Sequence, residues 1–330
     1  MMNKKINSKK IALGITMFLL VVIGSGLIYG YSMLKKVNTM KITDDKQELG
    51  ISNTDDTELP KDKIINIALF GIDSRTTKDK GRSDAMMVLT IDLKNNKIKL
   101  SSLMRDSYVP IDGYGETKLN HAYAYDGPLL AIKTINQNFG TDIKDFASVN
   151  FESVIDIVDY FGGVEIDVKP EEVEYINYYQ GEVSELTGKP IQTLEKSGKV
   201  KLTGMQALSY SRIRSTSNGD FERTHRQRVV FETLYKQLLT SNPLQLSGIL
   251  SKILPHVTTS LDTNEIINLG TALLKNKSSI EQERFPVDGY CEPLIKDNIW
   301  YLKFDRVKTK SQITDYIYKD IKPEHLQPLF

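Results

Sequence analysis

Residues 11–34 carry no charged side chain, and that stretch sets the layout of everything around it. Its 24 residues exceed the roughly 20 that an α-helix needs to cross the hydrocarbon of a bilayer. A cleaved signal peptide has a shorter apolar region, about 7 to 15 residues, ending in a small-residue site. Gly24-Ser25-Gly26 could serve as such a site, but the apolar run continues beyond it. The span therefore reads as an uncleaved transmembrane anchor. Lys4, Lys5, Lys9 and Lys10 precede it, and Lys35 and Lys36 follow it. Counting charges leaves the orientation open. The short basic N-terminus before the only span favours residues 1–10 in the cytoplasm and a single-pass chain with its bulk outside the cell.

Residues 35–62 are polar, with Asp44, Asp45, Asp55 and Asp56 and few large apolar groups, and read as a tether. Residues 63–320 read as one domain and 321–330 as a tail. Within the domain, 64–70 is an apolar run of strand length. Residues 86–91 and 98–103 flank Asn95-Asn96, a turn signal, and predict a β-hairpin. The spacing predicts helices over 128–139, 151–161, 203–210, 221–239, 243–254, 263–275 and 311–318. It predicts further strands over 164–168, 284–287 and 300–304. Residues 170–198, polar and tyrosine-rich, read as a hairpin or loop. Strands and helices interleave without a repeat, so the fold class is α/β, a mixed central β-sheet flanked by helices.

Composition narrows the chemistry. A net charge of +1 gives no reason to expect nucleic acid. The single cysteine, Cys291, excludes an internal disulfide framework and a cysteine-based metal cluster. The four histidines, His121, His225, His256 and His325, show no paired ligand spacing. Any metal belongs on carboxylate oxygens, which suit magnesium or manganese.

Arginine usage is the sharpest signal. Of 43 Lys and Arg residues only 10 are arginine. Eight of these are Arg75, Arg82, Arg105, Arg212, Arg214, Arg223, Arg226 and Arg228. A lysine-rich chain uses arginine where a rigid fork of donors must meet phosphate oxygens in pairs. Surface ion pairing is the alternative for any one of them, but not for so tight a grouping. Asp73 and Arg75 follow the strand at 64–70, Arg82 and Asp84 precede the strand at 86, and Arg105 follows the strand ending at 103. The hairpin places Asp84 and Arg105 at one end of the sheet, where ligands gather in open α/β sheets. Asp73 and Asp84 can face one another there as metal ligands or act as loop caps. Arg212 and Arg214 share one side if extended. Arg223, Arg226 and Gln227 fall on one helix face. Asp220 stands where it can cap that helix.

These residues lie in ordered motifs: Gly71-Ile72-Asp73-Ser74-Arg75, Arg82-Ser83-Asp84, Met104-Arg105-Asp106-Ser107-Tyr108-Val109, residues 118–125, Tyr210-Ser211-Arg212-Ile213-Arg214, and residues 219–228. Together they resemble the LytR-CpsA-Psr family over most of residues 63–240. Glu222 and Asp126 depart from glycines usual in the family and bear on local geometry. The resemblance implies an extracytoplasmic phosphotransferase of Gram-positive-type bacteria. It would take a glycopolymer, such as teichoic acid or capsular polysaccharide, from undecaprenyl pyrophosphate to peptidoglycan, at the C6 hydroxyl of N-acetylmuramic acid. By the same resemblance Asp73 and Asp84 would hold Mg²⁺, and Arg75, Arg82, Arg105, Arg212 and Arg214 would clamp the pyrophosphate. Arg223, Arg226 and Gln227 would line the site and bind the pyrophosphate with them, and the polyprenyl tail would enter an apolar pocket between sheet and helices. Catalysis would fall to Arg105, Arg212 and Arg214, with Asp220 the candidate base. A pyrophosphatase on the same lipid-linked precursors, a non-catalytic binding module, and a membrane-bound regulator are the other readings.

Overall fold

The computed structural model describes residues 37–52, 63–73, 81–215, 219–275 and 280–328. The expected anchor at 11–34 lies outside them, and among the described residues no helix is long and apolar enough to cross a membrane.

A seven-stranded mixed sheet organises the domain. Its strands are β1 (Asn38–Thr39), β2 (Ile64–Asp73), β3 (Arg82–Asp92), β4 (Lys97–Leu103), β7 (Asp145–Asn150), β10 (Thr258–Thr259) and β11 (Ile280–Phe285). They lie side by side in the order β1-β10-β7-β2-β3-β4-β11. The expected hairpin is β3–β4, paired from Asp92↔Lys97 to Met87↔Ser102. Its turn holds Asn96 at φ 52°, a left-handed conformation that asparagine tolerates better than most residues. Smaller ribbons are β5 (Tyr108–Ile111) with β6 (Gly115–Lys118), β8 (Val164–Val168) with β9 (Gly198–Leu202), and β12 (Cys291–Lys296) with β13 (Ile299–Phe304).

Helices cover both faces of the sheet, which is why β2 and β3 read as near-continuous apolar runs. Ala68, Phe70, Ile72, Met86 and Val88 pack under α1 (His121–Phe139) and α8 (Arg306–Lys319). Phe70 meets Tyr123 edge-on with ring centroids 5.2 Å apart. The alternate residues Ile67, Leu69, Met87, Leu89 and Ile91 pack under α5 (Gly219–Thr240) and α7 (Thr263–Lys275). A second cluster joins α2 (Phe151–Tyr160), α3 (Pro170–Thr187), α4 (Gly204–Tyr210) and β8–β9 to Val230 of α5. The remaining helix, α6 (Pro243–Ile253), runs into a 3₁₀ turn at Leu254–His256.

Four sequence expectations change. Most of 170–198, expected as a hairpin or loop, is helix α3. Pro170 starts it and Gly188 at φ 68° ends it, as helix boundaries prefer, but its buried stripe is Glu172, Ile176, Gln180 and Val183, and the two polar members break the apolar period. Arg82-Ser83-Asp84 lies inside β3 rather than before it, and Asp73 inside β2 rather than after it. The tether expected at 35–62 is part of the domain over 37–52. Asn38 and Thr39 pair with Thr258 and Thr259, and Leu49 is fully buried, its carbonyl accepting from Asn136 Nδ2 at 2.8 Å. The tail expected at 321–330 is held where Leu326 N–H donates to Asp288 O at 3.2 Å.

Candidate active site

β2, β4 and β7 run parallel, so their carboxyl ends share one edge of the sheet with the start of β3. The pairing of β2 with β3 slips there. Gly71 faces Ala85 and Ile72 faces Ser83, which leaves Asp84 as the extra residue of a bulge. A bulge bends its strand and re-aims a side chain. Gly71 permits the close approach beside it, because a Cβ at that position would lie 2.9 Å from the Ala85 Cβ.

Arginines converge on the re-aimed carboxylate. Arg105 Nη1 donates to Asp84 Oδ1 at 2.6 Å, and Arg214 Nη2 lies 3.6 Å from Asp84 Oδ2. Arg223 Nη2 donates to the Asp84 carbonyl at 3.3 Å and to Asp220 Oδ2 at 2.9 Å. Asp220 also stands 3.7 Å from Arg105 Nε and 3.8 Å from Arg214 Nε. Arg105 Nε is 3.3 Å from Asp106 Oδ2, and Lys118 Nζ is 2.6 Å from Asp106 Oδ1. Arg212 reaches Glu182 Oε2 at 3.2 Å, with its guanidinium over the Phe151 ring at 4.7 Å.

Burial alone would raise the Asp84 carboxyl, but Arg105, Arg223 and Arg214 overcome it and hold it below its ordinary value. Burial pulls Arg223 down to about 10, with Arg105 and Arg214 adding to the effect against Asp220, so the side chain stays charged at neutral pH. The unmet donors matter more. Arg105 Nε, Arg212 Nε, and both Nε and Nη1 of Arg223 are buried and make no hydrogen bond. Buried polar groups normally find partners. Forked N–H donors left over around one cavity and its adjoining slot fit an absent group rich in oxygen.

That cavity, of about 700 Å³, is lined by Asp73, Arg82, Asp84, Arg105, Ala124, Tyr179, Glu182, Arg212 and Arg214. Behind it is a slot of about 60 Å³ that shares Asp84, Arg212 and Arg214. Its other walls are Gly71, Ala85, Val149, Asn150, Phe151, Val154, Arg223 and Gln227.

Known proteins share this architecture. The chain matches the LytR_cpsA_psr family over residues 25–316. The chain belongs to that family. It is 31% identical over 290 residues to the polyisoprenyl-teichoic acid–peptidoglycan teichoic acid transferase TagU of Bacillus mycoides (strain KBAB4), covering 86% of this chain and 88% of that one. TagT bound to LI-WTA superposes with a TM-score of 0.62 at 25% identity, over 78% of this chain and 92% of that chain. YwtF (TagT) with bound octaprenyl pyrophosphate lipid shares the fold, with a TM-score of 0.57 at 24% identity over 77% of this chain and 90% of that chain.

In this LytR_cpsA_psr family member the structure brings together Asp73, Arg82, Asp84, Arg105, Arg212, Arg214, Arg223 and Gln227. Arg75 lies outside the described residues. Arg226 points elsewhere: it is buried, its Nε donates to Glu172 Oε1 at 2.8 Å, and its guanidinium lies 5.8 Å from the Tyr210 ring. Asp220, expected before α5, lies in its first turn and lines neither cavity; its oxygens hold arginines. Glu182, Tyr179 and Phe151 were not singled out from sequence. Glu182 and Tyr179 sit on the unexpected helix α3, and nothing local marks Phe151 as a ring beneath an arginine.

Asp73 and Asp84 are oxygen donors in one cavity, and Asp84 is held ionised. Among the described residues no group of three His, Cys, Asp or Glu could hold a metal ion alone. Two carboxylates nonetheless suit Mg²⁺, which binds through one or two of them and takes its remaining ligands from water and substrate phosphates.

Proposed function

We propose that the protein is an extracytoplasmic phosphotransferase. It moves an anionic glycopolymer, a teichoic acid or capsular polysaccharide, from undecaprenyl pyrophosphate to a peptidoglycan hydroxyl. The observation that carries this reading is the set of buried guanidinium donors on Arg105, Arg212 and Arg223 that make no hydrogen bond, at the strand ends beside Asp84. The relationship to TagU supports the substrate class.

The arginines bind and orient the pyrophosphate, and the slot beside Phe151 and Val154 receives the start of the polyprenyl tail. The acceptor oxygen forms a bond to the phosphorus bearing the glycopolymer. The bond from that phosphorus to the bridging oxygen breaks, and polyprenyl phosphate leaves. Phosphoryl transfer asks a protein chiefly for positioning and charge stabilisation, and forked guanidiniums supply both. The hydroxyl proton passes to a carboxylate lining the cavity, for which Glu182 is in place. Asp73 and Asp84 would hold Mg²⁺, which would supply charge neutralisation at the phosphate oxygens.

Topology supports the reading. β10 runs antiparallel to β7, and β1 runs parallel to β10, so the chain enters β1 from the edge of the sheet that carries the arginines. Only Lys35 and Lys36 separate the apolar span from Val37, where the described fold begins. An anchored span would therefore hold the cavity towards the lipid surface.

The test incubates the full-length protein in detergent with lipid-linked donor, Mg²⁺ and peptidoglycan oligomers, and weighs the products. Oligomer carrying the glycopolymer through a phosphodiester is the expected product. Phosphorylated polymer released to water, with no adduct, would replace transfer by hydrolysis.

A further inference from the structure

Two stacked tyrosines stand in solvent beside the arginine cavity. Tyr114 forms the tip of the β5–β6 hairpin between Gly113 and Gly115, both at positive φ, and its N–H donates to Ile111 O at 2.9 Å. Tyr125 comes from α1, just before the helix breaks at Asp126 and Gly127. The rings lie 4.3 Å apart at 13°, and the residues are 52% and 38% exposed. Among the described residues, a Cβ placed at Gly113, Gly115 or Gly127 would meet nothing within 4 Å.

The pair is continuous with the site. Ala124, next to Tyr125, lines the cavity. His121, one turn earlier on α1, packs its ring 5.8 Å from Tyr125 and shares a 2.9 Å hydrogen bond with Thr117 Oγ1 of β6. The hairpin, the helix and the cavity wall are thus joined by direct contacts.

We propose that Tyr114 and Tyr125 form the platform on which a sugar ring of the acceptor glycan stacks. This inference rests on the transferase reading above. A pyranose presents an apolar face of C–H groups and a rim of hydroxyls. A flat ring pair buries the first by dispersion and leaves the second to water. The donor has its own surroundings. Its pyrophosphate belongs with the arginines and its tail with the slot beside α2 and α5. α1 covers the opposite face of the sheet from α5, which leaves this wall for the second substrate. A polyanionic donor polymer calls for cations, whereas this pair offers ring faces.

The experiment uses the full-length protein in detergent with lipid-free peptidoglycan glycan oligomers. Binding is read by saturation-transfer NMR without donor, and transfer kinetics are read separately with donor present. Tyr114→Ala and Tyr125→Ala should each weaken oligomer binding and raise the acceptor KM by about tenfold, the scale of one aromatic contact. The donor KM and kcat at saturating acceptor should hold, and Tyr114→Phe and Tyr125→Phe should retain binding because the ring remains. Unchanged oligomer binding in both alanine variants overturns the platform, whether or not transfer is seen. A raised donor KM, or loss in the phenylalanine variants as well, overturns it too. If the unsubstituted protein gives no transfer while the alanine variants still lose oligomer binding, the transferase reading fails and the platform stands.

Discussion

Arg105 and Asp84, 21 residues apart in sequence, meet at 2.6 Å across the open end of the β3–β4 hairpin. Asp84 is there because of the bulge opposite Gly71 and Ile72, and Arg105 because β4 ends two residues before it. Neither partner is spent: Asp84 Oδ2 faces Arg214 at 3.6 Å, and Arg105 keeps a buried Nε–H without a hydrogen bond.

Asp84→Asn separates metal ligand from arginine partner. The substitution keeps shape and removes the charge that suits Mg²⁺. Turnover should fall and the Mg²⁺ concentration for half-maximal rate should rise, with some loss of melting temperature from the weakened Arg105 pair. An unaltered Mg²⁺ response would leave Asp84 as a partner for arginine alone.

Arg226 and Glu172 are 2% and 3% exposed at their side chains and 2.8 Å apart. Breaking a buried pair by removing one partner costs roughly 3–5 kcal/mol, because the other charge stays behind unpaired. Arg226→Met should therefore lower stability strongly, measured by denaturant unfolding. Activity per folded molecule should survive. A stable variant with lost activity would return Arg226 to the substrate site.

The hairpin and its shared end with Asp84 and Arg105 were legible because Asn95-Asn96 marks the turn and the apolar period is clean on both sides. The clustering of Arg212 and Arg214 with them was legible only as residue choice, since nothing local says that residues 212–214 return to the sheet end. The Arg226–Glu172 pair was hidden for a physical reason. Glu172 lies in a polar run whose helical stripe contains Gln180, so α3 shows no apolar period and its partner helix seems to carry one uniform polar face. The bulge at Asp84 was also hidden, because a register slip depends on the partner strand.

Acidification should destabilise the fold before the aspartates titrate. Burial first, then Arg82 and Lys118, hold the His121 imidazole below its ordinary value, and burial with Arg228 does the same for His225. Above about pH 6.5 folded and unfolded chains are both neutral at these positions. Below it the unfolded chain takes protons that the folded chain refuses, so stability is lost as pH falls through the folded pKa values. Melting temperature should drop between pH 7 and 5, and a His121→Gln, His225→Gln double variant should flatten that slope. An equally steep slope in the double variant would move the cause elsewhere.

The membrane reading predicts that protease added to intact protoplasts digests the domain while the residue 11–34 span stays with the membrane. Full protection of the domain would reverse the orientation and with it the access to peptidoglycan.

Arginine as clamp and arginine as surface charge are separated by Arg→Lys. Lysine keeps the charge and loses the fork. An exposed ion pair is worth about 0 to 1 kcal/mol, so a surface role should tolerate the change nearly silently. Arg214, 45% exposed at its side chain and 3.6 to 3.8 Å from its carboxylates, makes no short bond that stability would miss. Arg212 holds an exposed Glu182 and stacks on Phe151. Arg105 is the more buried, but its lysine variant still faces Asp84. Losing one charge-assisted contact made chiefly in the transition state should cost roughly 3 to 4 kcal/mol, a rate loss of about a hundredfold or more. The measurement is turnover of lipid-linked donor by Arg105→Lys, Arg212→Lys and Arg214→Lys beside their melting temperatures. Arg212→Lys and Arg214→Lys should lose rate with intact folding, and Arg105→Lys should lose rate with a modest fall in melting temperature. Near-normal rates in all three would remove the pyrophosphate from this cavity, because three guanidiniums that tolerate lysine are not gripping paired oxygens.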